Sequence, residues 1–157
     1  MRYLTISIAS FFFAGLGLLL SAADDTTDEA IRKDLKSLTG TWKVESREAY
    51  GEKAPADALK GVFVKIADDG TATVTKEGKV IRKLKWVNMD PTQKTKTVDV
   101  EVIEGDEKGK TLLAVYQIEG DKYTICVANP GKDRPKAFST EVESGHALMT
   151  YSRTKDE

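Results

Sequence analysis

A chain of 157 residues is the length of a single domain. Its 24 basic and 25 acidic side chains nearly cancel and are interspersed, which excludes the concentrated basic face of a nucleic-acid-binding surface and the polybasic patch of a membrane-surface protein. One cysteine, Cys126, excludes an internal disulfide, so packing and strand pairing alone must hold the fold.

Residues 1–23 read as a secretory signal peptide. Arg2 gives the positive start, Leu4 to Leu20 the apolar run, and Ser21-Ala22-Ala23 the small residues that a signal peptidase requires. The run is interrupted by Thr5, Ser7 and Ser10 and is short for a full span of about 20 residues. Cleavage after Ala23 is therefore expected rather than a retained anchor. No cysteine follows the run to carry a lipoprotein anchor. The mature chain, residues 24–157, has a net charge of −2 and an expected location in the periplasm or outside the cell. A domain of that size buries roughly two-thirds of its unfolded surface, enough for one core without staples.

Thr26 followed by Glu29 fits a capping box, which predicts a helix from about Thr27 to Leu38. Ile31, Leu35 and Leu38 line one face of it; Arg32, Lys33 and Lys36 face water. Gly40 is placed to end it in the left-handed conformation. A strand over Thr41–Glu48 follows, then a loop, Ala49–Gly61, with a helical turn at Ala56–Lys60.

From Val62 the pattern is one of successive hairpins. Strands are predicted at Val62–Ala67, Thr71–Lys76, Val80–Met89, Thr97–Ile103, Thr111–Glu119, Lys122–Ala128 and Ala147–Arg153. Asp69-Gly70, Glu77-Gly78 and Gly120-Asp121 mark the tight turns. Val98, Val100 and Val102 alternate with Asp99 and Glu101, so the acids read as a solvated face. Thr111–Glu119 is apolar on both faces and should be covered on both. Asn129–Glu143 is the longest loop. Eight strands with short connections and no βαβ alternation predict an all-β, eight-stranded antiparallel up-and-down barrel, closed to avoid bare edges. A two-sheet sandwich is the competing architecture.

Four stretches in this order, behind a signal peptide, carry a family resemblance: Leu38–Val44, Met89–Pro91 with Lys96–Val100, Gly109–Tyr116, and Ile125–Phe138. Together they resemble an uncharacterised family of small exported, lipocalin-like proteins known mainly from planctomycete bacteria. The resemblance spans about Leu35 to Arg153. Where that family usually has Gly-Ile-Tyr, this chain has Ala114-Val115-Tyr116. It implies an exported lipocalin-like barrel and supplies no reaction. In the wider lipocalin pattern a Gly-x-Trp tryptophan packs under an arginine at the end of the last strand. The resemblance thus implies that Gly40, Trp42 and Arg153 close the barrel, with the preceding helix plugging the same end.

Candidate chemistry is sparse. His146, the single histidine, sits beside Gly145 at a turn and lacks partners for a triad or zinc site. Cys126 has no activating base near it in sequence and reads as a small buried strand residue. The acidic pairs lack the spacing that calcium needs, so no metal or cofactor is expected. Asp133-Arg134-Pro135 with Phe138, on the longest loop, is the most site-like stretch. Arg134 can grip an anionic group bidentately or pin the loop to the barrel, with Phe138 as an apolar anchor. Trp86, Tyr116 and Tyr123 line a ligand cavity if the barrel is hollow and form the core if it is filled.

The expected function is binding of a small apolar or amphipathic ligand, with Trp86, Tyr116, Tyr123, Arg134 and Phe138 as candidate contacts and Ala49–Gly61 as a lid. The alternative is a filled barrel serving as an envelope or extracellular interaction module. An enzyme is the least supported reading, because no site constellation is present.

Overall fold

The computed structural model describes residues 22–155. The signal peptide predicted over residues 1–23 lies, apart from Ala22 and Ala23, outside the described residues. A helix, α1 (Ala22–Leu38), leads into β1 (Gly40–Ala49). The two-residue β2 (Glu52–Lys53) and one-turn α2 (Ala56–Leu59) follow. Then come β3 (Val62–Ile66), β4 (Thr71–Lys76), β5 (Lys79–Asp90), β6 (Lys96–Glu104), β7 (Thr111–Glu119), β8 (Lys122–Ala128) and β9 (His146–Arg153). No helix among the described residues is long and apolar enough to cross a membrane.

From β3 to β9 each strand pairs antiparallel with its successor, and β1 pairs with both β3 and β9. The result is a closed eight-stranded up-and-down barrel, as the strand count predicts; closure leaves no long bare edge. The ninth strand, β2, is an addition that hydrophobic alternation does not reveal. It folds back on the end of β1, pairing Glu48 with Lys53 and Ala49 with Glu52. The turn between them, Tyr50-Gly51, has both φ angles positive, 57° and 73°. That is the mirror-image turn whose twist matches a tight hairpin.

α1 begins before the predicted start, so Thr26 lies inside the helix rather than at its N-cap. Its apolar face seals one end of the barrel: Leu38 is fully buried, and Ile31 and Leu35 pack against the core. A polar contact on the same helix holds it there. Asp34, itself buried, accepts a hydrogen bond from Tyr116 Oη at 2.8 Å and pairs with Lys96 Nζ at 2.7 Å. One carboxylate thus ties α1 to β6 and β7.

Trp42 and Arg153 face each other across the β1–β9 seam. Trp42 is fully buried, and its Nε1 donates to Leu38 O at 2.7 Å. The Arg153 guanidinium lies 4.2 Å from the indole centroid and donates to Ser37 O at 2.5 Å and Thr39 O at 2.8 Å. These are carbonyls that the end of α1 leaves without helical partners, and a cation there also meets the negative end of the helix dipole. Gly40 is not the left-handed helix terminator. It opens β1 at φ 131°, and a Cβ there would sit 2.7 Å from Arg153 Nη1. Glycine leaves room for the guanidinium to reach the helix end.

The 129–145 connection covers the outer face of β6 to β8. Arg134 donates to Val98 O and Ala114 O at 2.8 Å each and pairs with Asp99 at 2.5 Å. The neighbouring Pro135 is buried, and Cys126 Sγ contacts Ser139 O at 3.6 Å. This explains why β7 and β8 are apolar on both faces: Val115 and Cys126 point away from the barrel and are buried under the loop. The alternation with the valines predicts a solvated Asp99 and Glu101; Glu101 is exposed, but Asp99 is largely covered by the loop and hydrogen-bonded by both Arg134 and Asn88.

Candidate functional site

The barrel is hollow. Above the Trp42 layer its interior holds a cavity of about 410 Å³, within the range of small-molecule sites. The floor is aromatic. Tyr123 stacks on Tyr151 with centroids 5.3 Å apart and meets Trp42 at a tilt of 56° with centroids 5.7 Å apart. Trp86 and Ile66 complete it, and the walls are chiefly aliphatic: Val44, Val64, Val100, Leu112, Ile125 and Met149. Each of these lies on the inward side of an alternating strand, so the binary pattern that builds the fold also makes the lining apolar.

Two polar atoms interrupt this floor. Trp86 Nε1 and Tyr123 Oη are buried and have no hydrogen-bond partner among the described residues. Burial pushes the Tyr123 phenol well above its usual pKa, with the Tyr151 hydroxyl adding to the rise. The nearby Trp86 N–H opposes it without reaching hydrogen-bond geometry. An unpaired buried polar group costs about 1–3 kcal/mol, so two on one floor carry a standing penalty. Tyr151, by contrast, donates to Met149 Sδ at 3.2 Å.

The mouth is at the end opposite α1. Leu59 of α2, Ile81, Pro130 and Ala147 frame it, together with Arg47, Arg82 and Glu107. Leu59 thus brings part of the 49–61 loop to the opening. Arg82 pairs with Glu107 and also donates to Asp106 O at 3.2 Å, while its Nε is buried and has no partner among the described residues. Arg47 makes no ion pair among the described residues. Its position depends on an irregularity in β1. Partners run Val44–Tyr151, then Ser46–Thr150 and Arg47–Met149, so a bulge at Glu45 shifts the alternation by one. Strict alternation from Trp42 and Val44 would turn Ser46 and Glu48 inward. The bulge turns Arg47 in instead and sends Glu48 out, where Thr140 Oγ1 hydrogen-bonds it. Sequence reasoning misses Arg47 because a bulge leaves no periodic trace.

The candidate contacts separate into two groups. Trp86 and Tyr123 line the cavity. Tyr116, Arg134 and Phe138 do not. Tyr116 points into the barrel below the floor, where its hydroxyl is taken by Asp34; burial and then that carboxylate raise its pKa. Arg134 is spent on strand carbonyls and Asp99, on the outer face. It pins the loop and leaves no fork for an anion. Phe138 is half-buried on the same loop, outside the barrel.

Cys126, Arg134 and His146 all belong to the loop's attachment rather than to a cleft. His146 Nε2 lies 3.2 Å from Asp133 O, and burial pushes the Cys126 thiol up. Neither lines the cavity. Among the described residues no group of three or more His, Cys, Asp or Glu side chains is placed to hold a metal. The acidic turn at Asp68-Asp69 is structural. Asp69 accepts from the Thr71 amide and hydroxyl and from Lys85, which holds its pKa at about 2.

No known protein family, curated protein or solved structure matches the chain.

Proposed function

We propose that this is an exported, lipocalin-like protein that holds one small apolar or amphipathic molecule inside its barrel. The observation that carries the reading is the cavity of about 410 Å³ with an apolar wall and a few convergent polar groups. A filled barrel working only through its loops would have side chains where this one has space, so the interaction-module alternative has less support. Export rests on residues 1–23 and on the motifs that resemble the exported family. The molecule enters past α2, whose Leu59 forms part of the mouth.

The test uses the mature chain and the apolar fluorophore 1-aminoanthracene. Trp42 and Trp86 both line the cavity, so a bound probe quenches their emission and saturates at one per chain. A bulky substitution on the wall, Ala147→Phe, abolishes the quenching while the far-ultraviolet circular dichroism stays unchanged. Binding that ignores Ala147→Phe, or no binding at all, contradicts the reading.

A further inference from the structure

The cavity is polar at both ends and apolar between. At the floor, Trp86 Nε1 and Tyr123 Oη are buried, adjacent and without a hydrogen-bond partner among the described residues. Both can donate. At the mouth stand Arg47, turned inward by the β1 bulge and free of any ion pair among the described residues, and Arg82, whose charge Glu107 offsets. The fixed charge at the opening is thus one net positive. Arg82 and Trp86 lie on the same strand, four residues apart, about 13 Å along the strand and about 10 Å along the axis of a barrel whose strands tilt by roughly 40°.

We infer that the ligand is a two-ended molecule: an anionic group at Arg47, an apolar body of roughly seven to eight carbons across the height of the walls, and an oxygen acceptor at the floor that takes the Trp86 and Tyr123 hydrogens together. This rests on the ligand-binding reading above and adds the polarity of the ligand and its direction of entry. A carbonyl oxygen has two lone pairs and satisfies both floor donors at once. One water would find only these two partners in an otherwise apolar recess, the low end of what holds a buried water, so a ligand oxygen displaces it. A plain alkyl end would instead leave both donors unpaired and exclude their water. A site built around buried polar groups therefore rejects ligands that lack the matching atom more strongly than it rejects a missing methylene. The carboxylate end stays at the rim, where Arg47 is exposed and the anion keeps part of its hydration.

Four probes of matched length separate the terms in calorimetric titrations of the mature chain: decan-1-ol, decanoate, 2-decanone and 9-oxodecanoate. Decanoate should bind about tenfold more tightly than decan-1-ol, and 9-oxodecanoate about tenfold more tightly than decanoate. Arg47→Gln should remove the first preference and leave the second. Tyr123→Phe, which deletes only the hydroxyl, should shrink the second and leave the first; Trp86→Phe should do the same. Equal binding of all four probes overturns the two-ended ligand while leaving a hollow ligand-binding barrel in place. So does a preference for 9-oxodecanoate that survives both floor substitutions. Failure of all four to bind overturns both readings.

Discussion

Trp42→Ala tests how the barrel shuts. The indole is fully buried, takes part in the aromatic floor with Tyr123, and lies under the Arg153 guanidinium at 4.2 Å. Truncating a buried tryptophan costs about 3–5 kcal/mol in lost transfer energy and cavity. The loss of the Nε1 hydrogen bond leaves Leu38 O short of a partner, and Arg153 loses its stacking surface, a cation–π contribution of about 0.5–2 kcal/mol. These overlap and are not summed; about 4 kcal/mol is the working figure. The assay is urea unfolding of the mature chain followed by far-ultraviolet circular dichroism, so that the removed chromophore does not affect the readout. Trp42→Phe, which keeps an aromatic ring and removes the N–H, should cost about 1–2 kcal/mol. Arg153→Met should fall between the two, because the α1 carbonyls at Ser37 and Thr39 lose their donor. A loss below about 1 kcal/mol for Trp42→Ala, or a Trp42–Arg153 coupling near zero in a double-mutant cycle, refutes the closure argument.

Asp34→Ala should destabilise by about 1–3 kcal/mol, because it strands the Tyr116 hydroxyl and the half-exposed Lys96; the same unfolding assay reads it, and no change would mean that α1 holds by its apolar face alone. Arg134→Ala should release the 129–145 loop while the barrel persists. The readout is Cys126 alkylation, slow in the native chain because the thiol is buried with a raised pKa, and several-fold faster in the variant; an unchanged rate would show that the loop is held elsewhere. Tyr116, Tyr123 and Tyr151 have folded pKa values above the ordinary 10, with burial as the leading cause of each. Above pH 10 the unfolded chain gives up those protons while the folded one keeps them, so stability is intact below pH 10 and falls as pH rises beyond it. In a Tyr50→Phe chain, which removes the exposed phenol, tyrosinate absorbance should therefore appear together with the loss of circular dichroism rather than before it. Ionisation of these three in the intact fold would contradict their burial.

The strands were legible because their signals are local. Val98, Val100 and Val102 announce one face of β6, and the Asp-Gly and Glu-Gly turns set the hairpins on either side of β4. Closure was legible because eight hairpin-joined strands have one economical arrangement. What escaped was carried by contacts distant in sequence or by breaks in period. Asp34 meets partners 62 and 82 residues away, and nothing around it marks it as buried. The glutamate–lysine pair of β2 has no pattern of its own; its pairing comes from the turn at Tyr50-Gly51. In the candidate site, Trp86 and Tyr123 were readable as inward aromatic residues. Tyr116, equally inward, sits one layer lower, and depth along a barrel axis is invisible to alternation. Arg134 looked like an anion ligand because an arginine on a long loop has the right chemistry, yet its partners are backbone carbonyls that no sequence pattern displays. Arg47 depends on a single-residue bulge.

Native mass spectrometry of the protein purified from its own host is the most direct test of a hollow, ligand-holding barrel. The expected spectrum shows the mass of residues 24–157 carrying one small molecule, released as an oxygen-bearing organic anion on collisional activation. A bare polypeptide mass, from protein that also takes up neither decan-1-ol nor 1-aminoanthracene, would contradict it.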